Sequence, residues 1–151
     1  MKNNELKELI LVFWETLAQS LEALKKSVER CENIDFSNSD LSDEDSDALD
    51  ALTSKFARSS DIYTQKLLNS ILRFKRENAV TFVDKMNIAE KAKIVKSAEK
   101  MIEIRDLRNE ISHEYWMDQL RDQQAYTLEI TPMLFENIAY TKNFLEKEKI
   151  L

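Results

Sequence analysis

The sequence predicts an all-α protein, an antiparallel up-and-down bundle of four to five helices folded as one domain over residues 1–151. Three observations carry that prediction. The chain has no glycine and one proline, which removes hairpin turns that need positive φ and glycine-rich phosphate loops. Leu, Lys, Glu, Ala and Asp dominate, and most of these favour helix. Apolar residues recur at three- and four-residue steps over long stretches, the mark of helices with one buried stripe. The length allows a hydrophobic core without disulfides or metals as staples.

Residues 5–31 give the first helix, with its stripe at Leu6, Leu9, Ile10, Phe13, Leu17, Leu21, Leu24 and Val28. Residues 32–46 are an acidic, serine-rich linker, where Ser, Asn and Asp side chains compete for the backbone. Asp40 and Ser42 are N-cap candidates for the second helix. That helix is long, expected over 47–77 and striped by Leu49, Leu52, Phe56, Tyr63, Leu67, Ile71 and Phe74. Small Ser59 and Ser60 allow close approach of a neighbour, and Arg58 and Asp61 are placed to pair on one face. Residues 78–87 read as a connection with Phe82 and Val83 partly buried, and Asn87 as the cap of a short helix over 88–95. Ser97 caps a helix over 97–113 whose apolar face includes Met101, Ile104, Leu107 and Ile111. A short helix over 117–130, with Leu120, Tyr126 and Leu128 partly buried, then precedes Thr131 as an N-cap. Pro132 takes the first position of a last helix running to about 148.

The net charge of −6 argues against a protein that coats nucleic acid. The charge is uneven, however. Seven carboxylates lie within residues 35–50, and the rest of the chain is close to neutral, so a local positive site is allowed. The lone Cys31 excludes an internal disulfide and a thiolate metal centre, and suits a cytoplasmic chain. The apolar run Leu9–Trp14 is too short to span a bilayer, so no membrane contact is expected. The acidic linker lacks the glycine and ligand spacing of a calcium loop, so no metal and no cofactor are expected.

The stretch Arg105–Trp116 holds the only histidine. Arg105, Arg108 and Ser112 share a stripe at steps of three and four, and His113 falls at the helix end. Imidazole can take a proton from a hydroxyl and return one to a leaving group. Guanidinium neutralises a phosphate whose charge grows during reaction, and Asn109 adds a hydrogen bond. That set suits metal-independent cleavage of RNA by its 2′-hydroxyl, with Arg105, Arg108 and Ser112 holding phosphate. One histidine per chain is thin for both an acid and a base, and a two-fold homodimer supplies the second. From spacing alone, a plainer role stands beside this: His113 as a helix-end residue, Arg108 paired with Glu110 or Glu114, and Tyr115 packed on Trp116.

The run Arg108-Asn109-Glu110-Ile111-Ser112-His113-Glu114-Tyr115 resembles the R-x-x-x-x-H-x-Y motif of the HEPN superfamily, in particular the HepT-type toxins. It is also similar to the related nucleotidyltransferase substrate-binding proteins, whose second-helix pattern the segment Phe56–Lys66 resembles. The resemblance implies a HEPN-like homodimer with both motifs lining one cleft. It implies RNA cleavage by Arg108 and His113, with Asn109 as companion. It further implies a cognate minimal nucleotidyltransferase as antitoxin, able to transfer AMP to Tyr115. The alternative is a non-catalytic accessory subunit that holds a nucleotide or substrate for that enzyme.

Overall fold

A computed structural model of the chain describes residues 2–38, 40–113 and 116–151. Within them the secondary structure is helical throughout. Helix α1 spans Asn3–Cys31 and α2 spans Asp43–Asp61. The backbone then widens into a π-helical segment, Ile62–Leu68, and tightens again as α3, Asn69–Phe74. After a connection come α4 at Phe82–Lys91, α5 at Ala98–Ile111 and α6 at Met117–Lys147. Since α2, the π segment and α3 are one continuous rod, the described residues make five helices.

Side-chain contacts give the directions of the helices. Cys31 Sγ meets the Ala48 carbonyl, Ser20 meets Ser59, and Lys7 lies over the Phe74 ring. One number rises as the other falls, so α1 and the α2–α3 rod are antiparallel. Ser46 meets Arg121, Asp50 meets Gln124, and Tyr63 meets Thr141, so the rod and α6 run parallel. Helices α5 and α6 form a second antiparallel hairpin, held at its open end by Asn137. The Asn137 Oδ1 accepts the backbone N–H groups of Lys96 and Ser97. The result is an up-down-up-down bundle, with α4 carried in the second connection, between the rod and α5.

The expected stripes form the core. Leu6, Ile10, Leu17 and Leu24 are buried on α1, and Leu49, Leu52, Phe56, Tyr63, Leu67 and Ile71 on the rod. Met101, Ile104 and Leu107 of α5 and Leu134, Ile138 and Leu145 of α6 close against them. Each buried Leu or Ile is worth about 2–5 kcal/mol against truncation to Ala. Cys31 is fully buried in this core, and burial pushes its thiol up from its ordinary range.

Several boundaries differ from the sequence expectations, each for a local reason. The acidic linker ends at Ser42, not at residue 46, because the Ser42 side chain accepts the Asp45 N–H and three carboxylates favour the first turn. Helix α4 begins at Phe82, not after Asn87. Thr81 is its cap, accepting the Asp84 N–H, and Met86 and Ala89 are buried on one face. The β-branched Val80, Thr81 and Val83 concealed this start, since tertiary packing overrides their weak helix preference. Val83 is exposed rather than partly buried.

The largest correction concerns the C-terminal third. Pro132 does not open a new helix: it sits inside α6, on an exposed position. Thr131 is not a cap either. Its hydroxyl donates to the Thr127 carbonyl, and the Thr127 hydroxyl donates to that of Gln123. Buried Ile130, Thr131 and Leu134 hold the helix on both sides of the proline. Tyr126 is exposed, and the buried face of this part of α6 is polar: Gln123, Gln124, Thr127 and Thr131.

Lacking glycine, the chain uses cations where helices stop in the left-handed conformation. Arg76, Lys93 and Lys149 have φ of 58°, 60° and 59°. Each ends its helix in the same paired pattern. The next N–H reaches back to Leu72, Ala89 and Leu145, respectively.

Candidate functional site

Helix α5 delivers the motif because Ser97 caps its start, accepting the Lys100 N–H. Met101, Ile104 and Leu107 bury its inner face. That register turns Arg105, Arg108 and Asn109 toward the flank facing the α2–α3 rod. There Arg108 meets Asp61, at the last α-helical position before the π segment. Arg108 Nε lies 2.8 Å from Asp61 Oδ1, and Nη2 lies 3.0 Å from Oδ2, a two-pronged fork. The side chains are 29% and 33% exposed, so the pair is partly shielded from water. Hydrogen bonding to Asp61 holds Arg108 still more firmly protonated than usual, against a smaller opposing effect of burial.

The partner of Asp61 is therefore Arg108 and not Arg58, and the partner of Arg108 is neither Glu110 nor any residue of its own helix. The sequence signal was a carboxylate set among polar residues within an apolar stripe. Which arginine it meets depends on how α5 docks, which no local pattern encodes.

Around this pair lies a groove of about 350 Å³ with walls from Ser60, Asp61, Lys85, Arg105, Arg108 and Asn109. Arg105 is stacked on Phe82, with its guanidinium carbon 4.6 Å from the ring centre. Its Nε also reaches Asp106 at 3.2 Å. Lys85 donates to Asn69 Oδ1 at 3.2 Å. The π segment contributes Thr64, whose hydroxyl donates to the Ser60 carbonyl. Local widening of a helix of this kind often accompanies function. The Ser60 Oγ is buried without a hydrogen-bond partner.

The expected site residues thus divide. Arg105, Arg108 and Asn109 share one groove. Ser112 does not line it: this residue is the C-cap of α5, and its hydroxyl turns back to the Asn109 carbonyl. His113 is exposed just past the helix end, where its backbone N–H donates to the Glu110 carbonyl. It does not line the groove either. Tyr115, the expected AMP acceptor, lies outside the described residues. Trp116, the N-cap residue of α6, is 85% exposed. Lys85 and Phe82 were not foreseen as site residues, because the segment that carries them read as a connection.

No family model, no curated protein and no solved structure matches this chain. What the geometry itself defines is an all-helical bundle with a cationic groove between the α2–α3 rod and α5. Among the described residues no helix is long and apolar enough to cross a membrane.

Proposed function

We propose that the chain is a HEPN-like toxin of a toxin–antitoxin pair. It would cut RNA without a metal at a site shared by two copies, and a cognate minimal nucleotidyltransferase would neutralise it. The observation that carries this reading is the arrangement at the end of α5. Arg108 is clamped by Asp61, Asn109 is exposed beside it, and exposed His113 comes within about a turn and a half. Asp61 uses two of the five guanidinium N–H groups, which leaves three for a phosphate. Asp61 is then a positioning residue and Arg108 the phosphate contact. His113 takes the 2′-hydroxyl proton as that oxygen attacks phosphorus. The 5′-oxygen leaves with a proton from the second copy's imidazole, and the strand ends in a cyclic phosphate.

Expression of the chain alone should slow growth, and His113→Ala should remove the effect. Purified protein should cleave RNA in EDTA, and co-expression with the partner should add one AMP to Tyr115, read by mass spectrometry. Intact RNA and normal growth with the wild-type chain would defeat the proposal.

A second reading, a non-catalytic subunit that holds a nucleotide for the transferase, is favoured by one observation. The groove is walled by the α2–α3 rod, the segment around Phe82 and α5, and His113 is not among its walls. Saturable nucleotide binding, co-purification with the transferase and no RNA cleavage would distinguish it.

A further inference from the structure

The groove beside Arg108 does not end at α5. A second cavity of about 500 Å³ adjoins it, and Gln65, Asn69 and Lys85 belong to the walls of both. The ends of the combined trough differ in character. One end carries Arg105 and the fully buried, unpartnered Ser60 hydroxyl, and Lys85 stands where the two cavities meet. The other has Leu9, Phe13 and Leu72 along one side, with Lys66 and Arg73 at its edge.

The trough is locally cationic on an acidic chain. Five cations line it, Lys66, Arg73, Lys85, Arg105 and Arg108, against the carboxylates Asp61 and Glu77. Three net positive charges thus gather in one place on a chain of net charge −6. Asp61 holds Arg108 by two hydrogen bonds and Asp106 holds Arg105 by one, so Lys85 and Arg105 offer a phosphate entering here more positive charge than Arg108 does. Arg105 is held ready by its stack on Phe82, and Lys85 is oriented by Asn69. Both cavities fall in the size range of small-molecule sites, where apolar walls carry a few placed polar groups. A long nucleic acid is usually tracked by a cationic groove that follows its backbone over several nucleotides.

We infer that this trough binds a nucleoside phosphate. The phosphates lie on Lys85 and Arg105 beside the Ser60 hydroxyl, and the ring system lies against Leu9 and Phe13. The inference deepens the second reading above, since it gives the nucleotide a place and a set of contacts. It also moves phosphate recognition from Arg108 to two residues outside the R-x-x-x-x-H-x-Y pattern.

Calorimetric titration of the full chain with ATP, AMP, adenosine and inorganic phosphate tests it. One nucleotide should bind per chain, with adenosine and phosphate each at least tenfold weaker. Lys85→Gln and Leu9→Glu should each weaken the nucleotide at least tenfold, while Lys142→Gln, exposed and outside the trough, leaves it unchanged. Arg73→Gln, at an exposed position, should weaken binding with no change in the circular dichroism spectrum, which guards against a folding artefact. Phosphate binding as tightly as the nucleotide would overturn the inference. So would an RNA oligonucleotide that binds through Lys85 when mononucleotides do not. Nucleotide binding unaffected by Lys85→Gln, Arg73→Gln and Leu9→Glu would refute this site and leave the accessory-subunit reading standing. No nucleotide binding at all would end both.

Discussion

Replacing Asp61 by Asn keeps the shape of the side chain and removes its charge, leaving the Arg108 guanidinium two-thirds buried beside a neutral amide. Ion pairs in full solvent contribute about 0–1 kcal/mol, and breaking a fully buried one costs about 3–5 kcal/mol. With side-chain exposures of 29% and 33% and two hydrogen bonds of 2.8 and 3.0 Å, this pair belongs between those limits. We expect Asp61→Asn to destabilise the fold by about 2 kcal/mol, between the exposed and the buried case. For a chain of this length that lowers the melting temperature by roughly 4–8 °C. The assay is a double-mutant cycle in urea with Asp61→Asn, Arg108→Gln and the pair together. The coupling should be about 1.5 kcal/mol and should keep more than half its value in 1 M salt, where exposed charges are screened within about 3 Å. Arg108→Lys should not restore it, since an ammonium cannot span both carboxylate oxygens. A coupling below about 0.5 kcal/mol, the usual error of additivity, would show that the fork is not held in solution. The positioning role given to Asp61 would then fall.

Two further outcomes concern the packing. Tyr63 donates to Thr141 Oγ1 at 2.7 Å, because the Thr141 proton is committed to the Ile94 carbonyl, also at 2.7 Å. Thr141→Val strands both partners and should cost about 2–3 kcal/mol by urea titration, against about 1 kcal/mol for Tyr63→Phe. Burial raises the Tyr63 phenol above its ordinary value of 10. The stabilisation from keeping it neutral is therefore complete below about pH 10 and is lost as pH climbs beyond that. Wild type should lose stability in that alkaline range more steeply than Tyr63→Phe, measured by melting temperature against pH. Lys93→Gly should stabilise the chain by about 1 kcal/mol, because a side chain at φ of 60° carries a steric cost that glycine avoids. A lower melting temperature for that variant would refute the assignment of strain there.

The helices were legible in the sequence wherever an apolar stripe marked them. The stripes of α1, the rod and α5 appear in the core as expected. Legibility failed where packing used polar groups. The inward face of α6 near Gln123, Thr127 and Thr131 carries no hydrophobic signal, so Pro132 looked like a beginning when it is an interruption tolerated on the open side. Of the groove, Arg105 and Arg108 were visible from their spacing and Asn109 as the amide beside them, while the same spacing also pointed to Ser112, which does not line it. Asp61, Lys85 and Phe82 come from other elements, and only the docking of α5 against the rod and α4 brings them to the motif.

The π-helical stretch between Ile62 and Leu68 makes chain length itself a determinant of the groove. A regular helix turns by about 100° per residue, and a wider coil turns by less. The pieces before and after it are thus clocked differently against α1. Dropping a single residue there would let the rod relax into one uniform screw, and the Asp61 carboxylate would swing away from the guanidinium it now grips. Side chains along that stretch can be exchanged with far less effect on aim than their number can.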